Sequence, residues 1–140
     1  MEIDFAGFSQ HYHQLTINGE YIGDFVEELL EVIGRFEFTK EHEVFYPQGI
    51  FTDKELNLLF VTKDGITVIE VGKSSKITTW KNEEISSCTL TVPSIYDAQL
   101  QINLKDGTVI SLDNVKDTNV HWKNRLKEEI LNIYSVLTSK

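Results

Sequence analysis

The sequence predicts an α+β domain in which an N-terminal helix precedes a seven-stranded antiparallel barrel, or pair of curled sheets, closed by a C-terminal amphipathic helix. Three observations carry that reading. An apolar period near 3.6 runs through residues 24–34 and again through 117–137, a period of two runs through most of residues 36–112, and two Asp-Gly turns, Asp64-Gly65 and Asp106-Gly107, sit between apolar runs.

Residues 1–20 show no clear periodicity. Asp24-Phe25-Val26-Glu27 then reads as a capping box, with Asp24 as N-cap and Glu27 three residues on. Phe25, Val26, Leu29, Leu30 and Ile33 share one broad face, Glu27, Glu28 and Glu31 lie off it, and Gly34 stands at C′, so a helix is expected over 24–34, with room for an extra turn from Glu20. At Phe36 the period changes to two. Phe36, Phe38, His42, Val44 and Tyr46 take one parity and Glu37, Thr39, Glu41 and Glu43 the other, which predicts a long first strand.

After the turn residues Pro47-Gln48-Gly49, Leu56 to Val61 and Ile66 to Val71 form a hairpin about Lys63-Asp64-Gly65. Two shorter strands follow, Ile77 to Trp80 and Ile85 to Val92, separated by Lys81 to Glu84. The last hairpin joins Leu100–Leu104 to Thr108–Leu112. A two-residue loop would pair Ile102 with Ser111 and mix polar with apolar on both faces. A three-residue loop, Lys105-Asp106-Gly107 with Gly107 left-handed in a bulge, pairs Leu104 with Thr108, Ile102 with Ile110 and Leu100 with Leu112, so one apolar face turns inward. From about Asp117 to Leu137, Trp122, Leu126, Ile130, Ile133 and Leu137 recur at spacings of three and four, predicting a helix that packs by that stripe. The whole reads as a single domain over 1–140, with 1–35 the N-terminal segment and helix and 36–140 the barrel with its closing helix.

Several segments carry a resemblance: Lys76-Ile77-Thr78-Thr79-Trp80, Glu84-Ile85-Ser86-Ser87-Cys88, the hairpin Leu100 to Thr108, and Trp122 to Tyr134. In their order they resemble bacterial members of the pleckstrin-homology-like superfold over about residues 36–138. The chain as a whole resembles small cytosolic proteins of unknown function from Bacillus-type bacteria. The superfold implies three kinds of use: phosphoinositide binding through basic residues near the first hairpin, peptide binding along a strand and the last helix, and scaffolding or self-association. Fold alone licenses no choice among them.

Composition narrows the choice. A chain of 140 residues is long enough for one core, and 41% hydrophobic residues supply it. The balance of 13 basic to 22 acidic residues, a net charge of −9, repels polyphosphate and removes the sequence-independent term in nucleic-acid affinity, so neither nucleic acid nor membrane is expected as a partner. Phosphoinositide binding is disfavoured for the same reason, since Tyr46 to Glu55 offers Lys54 between Asp53 and Glu55. No apolar stretch is long enough for a bilayer span, residues 1–10 do not read as a signal peptide, and one cysteine, Cys88, forms no intramolecular disulfide; a cytoplasmic protein is expected.

No nucleophile motif such as G-x-S-x-G occurs, and the chain reads as non-catalytic, with no cofactor expected. His11 and His13 flank Tyr12, and on an extended segment this spacing would put both imidazoles on one side; with His42 they are the candidate metal ligands. Cys88 shares its parity with Leu90 and Val92 and is expected to face the core as an inert thiol. Trp80, opposite in parity to Ile77 and Thr79, and the apolar pair Ile50-Phe51 are the candidate partner-binding residues. Glu27, Glu28 and Glu31 read as a solvated face that could dock a basic partner. The leading expectation is a protein-interaction or self-association module. The alternative is a small-molecule or metal binder, or weak enzyme, using a rim pocket near His42.

Overall fold

The computed structural model describes residues 4–17 and 21–139, with side chains for 4–14 and 26–139. Helices α1 (Phe5–Ile17), α2 (Tyr21–Ile33) and the single turn α3 (Glu37–Lys40) precede strands β1 (Val44–Gln48), β2 (Asn57–Val61), β3 (Gly65–Glu70) and β4 (Lys76–Lys81). A 3₁₀ turn at Asn82–Glu84 leads to β5 (Ile85–Ser94), β6 (Asp97–Leu104), β7 (Val109–Asp113) and the closing helix α4 (Lys123–Thr138). Seven strands therefore form, but as two antiparallel sheets in the orders β1-β2-β3-β4 and β5-β6-β7, and not as a closed barrel. No described helix is long and apolar enough to cross a membrane.

Over β1 to β3 the first sheet is covered on both faces. Cross-strand register places Phe45, Phe60, Thr67 and Thr79 in one row on its outer face. Phe5 and Phe8 of α1 and Phe38 of α3 meet Phe45 and Phe60 there in edge-on contacts with ring centroids 5.0–5.5 Å apart. The opposite face, carrying Val44, Tyr46, Val61 and Ile66, turns toward the second sheet and α4, whose Leu126, Ile130 and Ile133 are buried. This explains why β1 and β2 are almost continuously apolar where a one-sided sheet would alternate.

Four sequence expectations are corrected. Residues 5–17 are helical although no period was evident; among the described side chains of α1, residues 5–14, those buried deeply are Phe8 and Tyr12, with Phe5 beside them. Helix α2 starts at Tyr21, so Asp24 lies inside it and is not its N-cap; Gly34 ends it through a bond from its N–H to Leu30 O (3.0 Å) without adopting the left-handed conformation. The long first strand from Phe36 does not form. The Thr39 hydroxyl donates to Ile33 O (3.1 Å) and Phe36 O (2.9 Å), tying residues 37–40 into a helical turn, and the shared parity of Phe36 and Phe38 reflects two rings stacked on each other. The strand comes later and runs through Pro47, which the sheet tolerates because β1 is an edge. Finally, α4 begins at Lys123, because Asp117 and Thr118 are committed to bonds with β1 and the loop after it.

The β6–β7 hairpin follows the three-residue register. Leu104 N donates to Thr108 O (2.9 Å), Ile102 faces Ile110, Leu100 faces Leu112, and Gly107 has φ 93°.

Candidate functional site

The two sheets leave a cleft where the barrel fails to close, and β7 forms one wall of it. In an antiparallel pair, residues alternate between facing the neighbouring strand and facing away. The Leu104–Thr108 bond fixes that alternation, so Ile110 and Leu112 point their backbone groups at β6, while Val109, Ser111 and Asp113 point theirs outward. Two of these outward groups are capped by side chains. Gln48 Nε2 donates to Ser111 O (2.7 Å), and Asp113 N donates to Asp117 Oδ2 (2.8 Å). Between Val109 and Ser111 the edge opens on a cleft of about 440 Å³, whose other wall is Val68, Thr78 and Trp80 of the first sheet.

One end of the cleft is fixed by Asp117, which is buried and also accepts from Tyr46 Oη (2.7 Å) and Gln48 Nε2 (3.1 Å). Burial is the largest influence on this carboxyl and raises its pKa; the same burial, with Asp117 beside it, pushes the Tyr46 hydroxyl far above its ordinary range. The other end is fixed by Trp80 Nε1, which donates to Asp106 Oδ2 (3.0 Å) and holds that carboxyl below the ordinary carboxylate range.

Trp80 is therefore a wall of the site and not an outward anchor. It is 8% exposed, because its parity belongs to the inner face of the first sheet. Ile50 is fully buried, with its carbonyl accepting from the Thr118 hydroxyl (2.9 Å), so it too is unavailable to a partner. Phe51 is half-buried, stacked on Trp122 at 5.5 Å.

The histidines do not come together. His11 and His13 lie on a helix, where positions two apart point to different sides. His11 packs edge-on against Phe51, His13 Nδ1 contacts Glu27 Oε1, and His42 Nδ1 donates to Phe38 O (2.9 Å). The His42 ring also packs against Phe60 at 5.2 Å and lines an open pocket of about 590 Å³ with Glu37, Glu43, Lys63 and Asp64. Among the described residues no group of three or more His, Cys, Asp and Glu side chains is placed to hold a metal. Cys88 is half-buried, and burial pushes its thiol up; Val92, which shares its parity, is exposed because β5 continues past the core to Ser94. Glu28 and Glu31 are exposed on α2.

Sequence reasoning missed the tip of the β5–β6 hairpin, where Ser94 faces Asp97 and the two residues between them, Ile95 and Tyr96, are 73% and 61% exposed. A two-residue turn ordinarily carries Asn, Asp or Gly, so a large apolar pair at its centre was the available signal. No protein-family profile matches the sequence, and no curated protein matches it either.

Proposed function

We propose that this chain is a non-catalytic protein-interaction module that takes up an extended segment of a partner along the outer edge of β7. The observation that carries the reading is the outward backbone of Val109 and Ser111, which faces a cleft of about 440 Å³ with apolar side chains on both walls. An extended segment adds to such an edge through main-chain hydrogen bonds and gains selectivity from alternate side chains seated in the cleft. The sheets of four and three strands followed by α4 are taken as a pleckstrin-homology-like frame for it, in a cytoplasmic setting for which the support is the single cysteine of the sequence. Gln48 already satisfies one edge carbonyl with a side-chain amide, as a strand would do with its backbone.

The test is a peptide from a random display library selected on the whole chain, mapped by amide chemical shifts. Shifts should concentrate on Val109, Ser111, Thr78 and Trp80. Ser111→Pro removes an outward N–H while leaving the β6 ladder intact, and should weaken binding about tenfold, since the lost bond and the steric block each act at the edge. Binding unchanged in that variant would sink the proposal. Concentration-dependent dimerisation through the same residues would reassign the edge to self-association. A second reading, a small-molecule site, is favoured by the pocket beside His42; ligands that shift His42, Thr67 and Thr79 in place of β7 would support it.

A further inference from the structure

We propose that the pocket between α1 and the loop joining β1 to β2 binds an alkylated ammonium group. The pocket, of about 420 Å³, takes His11 and Tyr12 from the helix and Phe51, Asp53 and Glu55 from the loop. It stands apart from the β7 cleft and shares no residue with it.

Three aromatic rings meet here at steep angles. His11 lies 5.1 Å from Tyr12 at 88° and 5.2 Å from Phe51 at 72°, centroid to centroid. Differently oriented rings suit a rounded cation, whose charge is attracted to the π-faces while its methyl groups shed water at small cost. Asp53 and Glu55 supply the compensating negative charge at the rim and are exposed. Lys54, between them, also lines the pocket, with its Nζ donating to Lys116 O (2.8 Å). Burial lowers the His11 pKa, which favours a neutral ring facing the cation.

The loop is held for this geometry against a local preference. Phe51 has φ 64°, the left-handed region that a bulky side chain avoids, and is the one described non-glycine residue there. Its backbone is clamped by Gly49 N donating to Asp117 O (2.7 Å) and Thr118 Oγ1 donating to Ile50 O (2.9 Å), and its ring is stacked on Trp122.

The experiment titrates the whole chain, by amide and side-chain NMR shifts, with tetramethylammonium, choline, a trimethyllysine peptide, the unmodified lysine peptide, and 3,3-dimethylbutanol as the uncharged shape of choline. Saturable shifts at His11, Tyr12 and Phe51 are expected with the alkylated cations and not with the alcohol. Preference for choline would point to a small metabolite, and preference for the trimethyllysine peptide to a modified protein. Asp53→Asn with Glu55→Gln, both at exposed positions, should weaken binding while leaving the spectrum folded, and Phe51→Leu should weaken it roughly tenfold. Equal binding of the alcohol, absence of saturable shifts with every alkylated cation, or indifference to the double carboxamide variant would overturn the proposal.

Discussion

Asp117 accepts hydrogen bonds from three places: the Tyr46 hydroxyl and Gln48 amide of β1 and the Asp113 N–H at the end of β7. Nothing in its sequence context marked it, because its two side-chain partners lie about 70 residues away in β1; the apolar stripe beginning at Trp122 made it look like the start of a helix. Trp80 was misread for a similar reason. Parity separated it correctly from Ile77 and Thr79, but parity does not say which face of a sheet is covered, and in β4 it is Trp80's face that is buried while Ile77 and Thr79 are exposed. Asp117 also gives a prediction with a definite sign. Its folded pKa is raised above the ordinary 3.8 chiefly by burial. A group so shifted contributes stability that is fully present below its unfolded pKa and is lost as pH rises through the folded value. The stability gap between the wild type and Asp117→Asn should therefore be widest near pH 3–4, about the unfolded carboxyl range, and narrow toward neutrality. Urea unfolding of both proteins across that range measures it, and a gap that widens with pH would show that ionisation of this carboxyl is favoured by the fold.

At the scale of elements, hairpins were legible where turn chemistry and face matching agreed. The β6–β7 register followed from asking which loop length put Ile102 opposite Ile110, and the β2–β3 hairpin from Asp64-Gly65 between apolar runs. Helix starts were less legible, since α2 begins before its apparent cap and α4 after it. The two turn glycines also differ in kind. Gly107 needs its positive φ, yet a methyl group there meets nothing within 4 Å. Gly65 needs no unusual angle, but a methyl group would stand 2.1 Å from Trp80 O, inside the β3–β4 ladder. Gly107→Ala should cost about 1 kcal/mol, the conformational penalty alone. Gly65→Ala should cost more, roughly 3 kcal/mol, because backbone must shift to relieve the clash. Thermal or urea denaturation ranks the two, and the reverse order would mean that the ladder at Trp80 yields easily.

For the molecule as a whole, the described residues of the N-terminal segment pack into one core with the strands that follow. The outer face of the first sheet is finished by residues that come before it: Phe5 and Phe8 cover Phe45 and Phe60, and Val26, Leu29 and Ile33 join the same buried cluster. No sequence signal linked these segments, because an aromatic contact across some forty residues leaves no local period. The consequence bears on both candidate sites. One wall of the ammonium pocket belongs to α1, and the first sheet, which walls the β7 cleft, has its outer face covered by α1 and α3. A truncated chain beginning at residue 36 should therefore fail as an independent pair of sheets, since it exposes a continuous strip including Phe45, Leu58, Phe60 and Ile69 that water would meet directly. Such a chain is expected to bind a hydrophobic dye, lose cooperative unfolding and self-associate, whereas adding residues 1–35 as a separate peptide should restore part of the transition. A truncated chain that unfolds cooperatively with wild-type stability would show instead that the N-terminal layer is an accessory to a self-sufficient pair of sheets.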